Sequence, residues 1–229
     1  MITRRNPWHE FAELLEALAA EGSLERKNTI KALEQLADSF EDEADRTMYR
    51  GELGLALGRI GNFAEADRIL SLAEYAQEKA NYWLRLAEQQ FQAGERDGAL
   101  NSLRRSEEAI DSLRAEYLAE RAEVLAHKAK LLEDFGLADK ALDVWNKAIR
   151  LAQDGQEANP NSSDCSAVLV NVTRLLTELG HTEMARSVAD SITTRFPSRR
   201  EHAHRLIGAV ALGRTSNSGW PVVGHSDFQ

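Results

Sequence analysis

Six histidines and one cysteine are the residues of this 229-residue chain best suited to metal binding or nucleophilic catalysis. Their spacing supports neither chemistry. His202 and His204 are two residues apart, so on a helix they point to different sides and make poor joint metal ligands. Cys165 has no neighbouring motif of a catalytic thiol. We therefore predict no catalytic residue, no metal site, no cofactor and no enzymatic activity.

Two glycine pairs resemble the phosphate loops of nucleotide-binding proteins: Gly51 with Gly54, and Gly58 with Gly61. A phosphate loop follows a strand, and the alternating β-branched and aromatic residues of strands are missing here. The chain has only four prolines, and long stretches lack both Gly and Pro, which favours helix. We interpret these glycines as sites of close helix packing in an all-α fold.

Four glycines are each followed, five residues later, by an alanine inside a helical apolar pattern. Each glycine is predicted to end one amphipathic helix with a positive φ, and each alanine to let two helices approach closely. Such a recurring pattern indicates a repeated helix–turn–helix unit. The pairs are Gly61/Ala66, Gly94/Ala99, Gly136/Ala141 and Gly180/Ala185.

Around these pairs the chain resembles the tetratricopeptide-repeat family, over residues 46–197. The best match consists of Trp83, Leu86 and Ala87, followed by Ala99 and Leu103, although Gln90 replaces the usual aromatic residue. Further departures are Arg50, where the family has Trp, and Lys128. The resemblance implies a right-handed α-solenoid of stacked antiparallel helix pairs, with about eleven helices.

The repeats are longer than usual. The four glycines are 33, 42 and 44 residues apart, against about 34 in the family. We expect the second step to reflect long sixth and seventh helices, and the third a loop over Asp154–Asp164. Other predicted helices cover about Trp8–Ala20, Ser23–Phe40, Asp45–Ile60, Tyr82–Ala93, Cys165–Leu179, Thr182–Phe196 (stopped by Pro197) and Arg199–Leu212.

Four segments are predicted from this pattern. Residues 1–42 form an N-terminal helical pair, either a diverged repeat or a cap, and 43–197 form the repeats. Residues 198–213 form a C-terminal capping helix, and 214–229 a loose tail. Trp8 and Phe11 near one end, and Trp220 near the other, make self-association through the end caps a further expectation.

The resemblance implies a partner-binding groove along the first helix of each repeat. Leu55, Leu84 and Phe91 would form an exposed apolar patch there, of the kind that marks contact sites. The alternative is that they pack against the N-terminal helices, and both interpretations stay open. The expected lining of the groove is Met48, Leu55, Arg59, Leu84, Glu88, Phe91, Gln92, Lys130 and Arg174.

One family function is not expected. Chaperone-binding members hold a partner's terminal carboxylate with Lys, Asn and Arg on successive first helices. The matching places here are Gly51, Leu55, Glu123 and His127, so this clamp is missing. The function that the resemblance implies is a non-enzymatic scaffold or adaptor, which binds a peptide or helix of a partner protein in the concave groove.

The charge distribution leaves one alternative. The formal net charge is −9, and residues 1–45 carry five Lys/Arg against eleven Asp/Glu, which argues against DNA binding. A local basic cluster near the other end consists of Arg195, Arg199, Arg200 and Arg205. It is either the solvated face of a capping helix or the site of a regulatory protein that binds an acidic partner or RNA.

A cytoplasmic location is expected. No apolar run approaches membrane-spanning length, and the N-terminal residues lack the apolar core of a signal peptide. Since the single Cys165 cannot form an intrachain disulfide, the composition also fits a reducing compartment.

Overall fold

The computed structural model describes residues 7–20, 23–114 and 116–211, and all regular secondary structure among them is helical. This confirms the all-α class. The helices are α1 (Pro7–Ala20), α2 (Ser23–Asp38), α3 (Glu43–Arg59), α4 (Phe63–Ser71), α5 (Ala76–Gln92), α6 (Arg96–Asp111), α7 (Leu118–Asp134), α8 (Ala138–Ala158), α9 (Asp164–Glu178), α10 (Thr182–Ser191) and α11 (Pro197–Ala211).

The turns between α3 and α4, α5 and α6, α7 and α8, and α9 and α10 share one geometry. Their glycines have φ of 76°, 84°, 74° and 85° in chain order. At the second of them, Gly94 N donates to Phe91 O at 3.0 Å and Glu95 N donates to Gln90 O at 2.8 Å. These two bonds satisfy carbonyls at the end of α5. The predicted role of the four glycines is confirmed.

The paired alanines are also where the pattern predicts them. All four have no exposed surface: Ala66, Ala99, Ala141 and Ala185. Each lies in the first turn of the second helix, as when Ala99 N donates to Glu95 O at 2.9 Å. A larger side chain at such a place would separate the packed helices, so the four pairs define one repeated structural unit.

Unequal repeat lengths arise in the second helices of the pairs. Helices α4, α6 and α8 have 9, 16 and 21 residues, whereas α5 and α7 both have 17. The prediction of a long sixth helix is therefore confirmed. The prediction of a long seventh helix is wrong, because α7 is no longer than α5. The expected long loop is also wrong, because α8 continues to Ala158. Near that end the buried Gln156 Nε2 donates to Ser191 O at 3.1 Å.

Three further helix boundaries differ from expectation. Helix α10 ends at Ser191 because the buried Ile192 is extended, with ψ of 125°. Pro197 begins α11 rather than stopping the preceding helix, since a proline tolerates the first turn of a helix. Helix α5 begins at Ala76, six residues before the predicted Tyr82, and its first turn includes Lys79 N donating to Tyr75 O at 2.9 Å.

The described chain divides into two compact units, one up to Gly155 and the other from Gln156. In the first unit the first helices contact one another in succession, α1 with α3, α3 with α5 and α5 with α7. Helices α1 and α2 pack together and both contact α3, so the N-terminal pair stacks in the same way as the pairs after it. In the second unit, α11 contacts α9 and α10.

Polar residues at places where the sequence departs from the pattern of the resembled family have hydrogen-bond partners. Gln90 is only 5% exposed, and its Oε1 accepts a hydrogen bond from Ser102 Oγ at 2.7 Å. Arg50 donates to Leu72 O at 2.6 Å and pairs with Asp38 at 2.7 Å. A hydrogen-bonded polar group can replace an apolar one inside a fold without a large loss of stability.

The third departure, Lys128, belongs to a cluster that we call the Glu107 triad, formed by Glu107, Lys128 and Lys147. The carboxylate of Glu107 on α6 pairs with the buried Lys128 of α7, and with Lys147 of α8 at 2.9 Å. The two ammonium groups lower the pKa of Glu107 against the opposing effect of burial. The triad therefore ties three helices together through one carboxylate.

Candidate interaction site

The predicted exposed apolar patch is not formed. Leu55 has no exposed surface and Leu84 is 2% exposed. Leu55 belongs to the same core as Phe11 and Leu18 of α1, because the N-terminal pair covers α3. For Leu55 this is the alternative stated above, in which the side chain packs with the N-terminal helices.

Phe91, the third member of the predicted patch, is half-buried. Its ring stacks on that of Phe135, with centroids 3.9 Å apart and planes at 16°. Arg96 Nη2 donates to the carbonyl oxygen of Phe135 at 3.2 Å. Phe91 thus contributes to the packing between the ends of α5 and α7.

The polar residues of the predicted groove fall into two groups. Lys130 pairs with Asp134 at 2.5 Å, and Arg174, which lies in the second unit, pairs with Glu178 at 2.7 Å. Within the described ranges the side chains of Glu88 and Gln92 on α5 have no hydrogen bond or ion pair. Met48 is half-buried against the core of the first unit.

Arg59, the remaining groove residue, lines an open apolar cleft of about 390 Å³ between α1 and α3. Phe11 and Leu18 of α1 point into the core, while small side chains on the adjoining flank leave the space open. We call this feature the α1–α3 cleft. Its lining is Ala12, Leu15, Glu16, Leu18, Ala19, Ala56, Arg59 and Ile60.

The guanidinium of Arg59 has no carboxylate partner among the residues that the structure describes. Its Nε donates to the backbone oxygen of Leu55 at 3.3 Å, and the residue is exposed. Both Nη groups lack a partner in the described part of the chain. Arg59 therefore presents unused hydrogen-bond donors at the rim of an apolar surface.

Arg46 and Arg50, on the same helix as Arg59, are used differently. Arg46 pairs with Glu74 at 2.7 Å and Arg50 pairs with it at 2.8 Å. Hydrogen bonds from the two guanidinium groups lower the pKa of Glu74 to about 2. This carboxylate joins α3 to the segment before α5, so its charge serves the fold.

Glu123 on α7 is a half-buried carboxyl group without a hydrogen bond among the described residues. Burial raises its pKa, and the nearby Glu120 raises it further. Its position is one of those matched to the carboxylate clamp in the sequence comparison above. The sequence shows the acidic residue but not its lack of a counter-ion.

The basic cluster near the C-terminus is largely tied to its own unit. Arg195 donates to the side-chain oxygen of Asn161. Arg199 donates to the backbone oxygen of Ser163, and its guanidinium lies 5.8 Å from the ring centroid of Phe196. These two arginines hold the start of α11 to the segment before α9.

Asp190 on α10 engages a third arginine of the cluster. Arg200 Nη2 lies 3.3 Å from Asp190 Oδ1, and His204 Nε2 lies 3.2 Å from the same oxygen. Arg205 is exposed and has no ion pair within the described part of the chain. Three of the four predicted anion-binding residues therefore have protein acceptors.

Other residues singled out in the sequence have structural surroundings. Phe11 is 1% exposed and is not available at an end cap. Trp8 is 42% exposed and stacks on Tyr49 at 4.3 Å, while Trp220 and the predicted tail lie outside the described residues. Cys165, the single cysteine of the sequence, is buried. Among the described residues no group of three His, Cys, Asp or Glu side chains could hold a metal ion.

The α1–α3 cleft was not predicted from the sequence. The available signal is the spacing of Ala12, Leu15 and Ala19, which places small and apolar side chains on one flank of α1.

Comparison of the chain with family models, curated proteins and solved structures finds no match. In the described part of the chain no helix is long and apolar enough to cross a membrane.

Proposed function

We propose that this protein is a non-enzymatic interaction module of the tetratricopeptide-repeat type, which binds a segment of a partner protein. Binding takes place along the first helices of the pairs in the first unit, within a right-handed solenoid. The observation that carries the proposal is the open α1–α3 cleft with the unpaired Arg59 at its rim. An apolar surface beside an unused guanidinium suits a protein contact.

Further side chains of the first helices support this proposal. The side chains of Glu88 and Gln92 on α5 and of Glu123 on α7 have no hydrogen bond within the described ranges. A half-buried carboxyl group such as Glu123, whose pKa is raised by burial, is of the kind that clusters at functional sites. The helices that carry these residues pack together, since α3 contacts α5 and α5 contacts α7.

The alternative function, recognition of an acidic partner or RNA by the basic C-terminal helix, has less support. Arg195, Arg199 and Arg200 already donate to acceptors of the second unit. Arginines held in this way have fewer donors left for a ligand. A cytoplasmic location remains part of the proposal and rests on the single Cys165, which cannot form an intrachain disulfide.

Affinity capture followed by hydrogen–deuterium exchange tests the proposal. The full chain is used to capture proteins from a native lysate, the retained partner is purified, and amide exchange of the chain is measured with and without it. We expect slower exchange in α1, α3 and α5. Slower exchange confined to α11 would favour the alternative, and a chain that retains no partner would contradict the proposal.

A further inference from the structure

The α1–α3 cleft combines an apolar wall with a single cation that is not neutralised. Leu15 of α1 and Ile60 after α3 are among its apolar lining residues. Arg59 uses Nε on its own helix, so the two Nη groups can donate to an acceptor from another molecule. Glu16 on α1 is the other charged residue of the lining.

We propose that the cleft docks a partner segment in which an apolar side chain is flanked by an Asp or Glu. The apolar side chain lies between α1 and α3, and the carboxylate accepts hydrogen bonds from the Nη groups of Arg59. This inference rests on the proposed function and deepens it, because it names the chemistry of the segment that the first unit recognises.

Charge complementarity argues for a carboxylate at this place. A guanidinium and a carboxylate form two parallel charge-assisted hydrogen bonds, which are stronger than neutral ones. Adjacent apolar surface excludes water when the segment docks, and the interaction of the two charges then becomes stronger. Glu16 repels a carboxylate on its own side of the cleft, so it favours one orientation of the segment.

The openness of the cleft argues for a protein segment rather than a small molecule. Ala12, Glu16, Ala19 and Arg59 are all exposed, so the cleft by itself leaves much of an occupant in water. Small-ligand sites bury about 70–90% of the ligand surface. A partner protein, in contrast, covers such a cleft with its own surface.

A randomised twelve-residue peptide library displayed on phage tests the proposal against the full chain. Peptides that depend on the cleft are identified with two matched variants. Ala12→Trp fills the cleft, whereas Ala20→Trp adds the same side chain to an exposed residue of α1 outside the lining. Circular dichroism establishes that both variants keep the fold of the wild type.

We expect the peptides lost on Ala12→Trp but kept on Ala20→Trp to be enriched in Asp or Glu beside apolar residues. For the strongest such peptide, Asp→Asn or Glu→Gln exchange is expected to weaken binding about tenfold, the effect of one charge-assisted interaction. In Arg59→Gln the two forms of the peptide are expected to bind alike.

Three results would overturn the inference. Cleft-dependent peptides without acidic residues would refute the carboxylate but leave the proposed function standing. Equal discrimination by the wild type and Arg59→Gln would refute the role of Arg59. Absence of any cleft-dependent peptide, with decanoate binding that is lost on Ala12→Trp, would assign the cleft to a small amphiphile instead of a protein.

Discussion

The Glu107 triad and the α1–α3 cleft both place a charged side chain beside apolar surface, but only the triad supplies a counter-ion. Lys128 is 8% exposed and reaches the carboxylate of Glu107 on the neighbouring helix. Arg59 is exposed and has no carboxylate partner among the described residues. A cationic side chain is thus neutralised by a carboxylate of the fold in the triad, whereas the one at the cleft has no counter-ion among the described residues.

This difference separates charges that hold the fold from charges that remain for a ligand. A buried charge without a partner is costly, and the fold pairs the buried Lys128 with the carboxylate of Glu107. Arg59 avoids that cost by staying in water, and its Nη groups stay available to a carboxylate of another molecule. The comparison therefore predicts opposite results for stability and binding when the two regions are altered.

Removal of the triad's carboxylate tests the region in which the charges are paired, and it has the largest expected effect on stability. Glu107→Ala leaves the buried Lys128 without its carboxylate, and we expect a loss of about 3 kcal/mol in the free energy of unfolding. Urea unfolding followed by circular dichroism measures it. The control is Glu108→Ala, because Glu108 is 59% exposed and pairs with Arg104 on its own helix; a loss of about 0.5 kcal/mol or less is expected. Equal losses would refute the triad's role.

The glycine turns join the two helices of each pair. A substitution in one of them is expected to lower stability less than the loss of Glu107. Gly94→Ala forces a side chain into a φ of +84° with open space around it, so only backbone strain is added, about 1 kcal/mol. Differential scanning calorimetry should show a lower Tm. Gly208→Ala is the matched control, because this helical glycine also has open space around it and alanine favours helix. A Tm that falls equally in both variants would contradict the assigned turn geometry.

The pH dependence of the unfolding free energy provides a further test, through the paired carboxylate of Glu74. Its pKa in the fold is about 2, against an ordinary value of 4.5. The ionised form is therefore favoured by folding, and its contribution is complete above about pH 4.5 and lost as the pH falls towards 2. The difference in unfolding free energy between wild type and Glu74→Gln should shrink over that range.

The control for this pH dependence is Glu116→Gln, since the side chain of Glu116 is 67% exposed. An exposed carboxylate in a surface ion pair contributes little to stability, so this variant is expected to unfold within about 0.5 kcal/mol of the wild type at neutral pH. A difference for Glu74→Gln that does not shrink between pH 4.5 and 2 would show that Arg46 and Arg50 do not hold the Glu74 carboxylate.

Glu16 provides the smallest effect and one of opposite sign. If a carboxylate docks on Arg59, then Glu16→Gln removes a repulsion and tightens binding of an acidic peptide about twofold. Isothermal titration calorimetry at low and high salt measures this change, which should diminish as salt screens the charges. Weaker binding by Glu16→Gln would place the peptide's carboxylate elsewhere.

The turns could be predicted from the sequence because they depend on local chemistry. A positive φ favours glycine wherever it occurs, so Gly61 and its three counterparts mark the helix ends without knowledge of the tertiary fold. The small buried alanine follows from the same repeat. For that reason the all-α class and the four helix pairs agree with the expectation.

The site could not be predicted in the same way, because it depends on contacts between distant parts of the chain. The burial of Leu55 follows from the position of α1, which the repeat pattern does not define. Arg50 and Arg59 lie nine residues apart on one helix, and the sequence does not show which of them has a counter-ion. Only the packing shows that Arg50 meets Glu74 while Arg59 meets the cleft.

The affinity of one cleft-dependent acidic peptide for Arg59→Gln tests the central claim most directly. The account predicts binding about tenfold weaker than to the wild type, with a free energy of unfolding changed by less than about 0.5 kcal/mol. Undiminished affinity in Arg59→Gln, or a loss of affinity matched by a loss of stability, would contradict it.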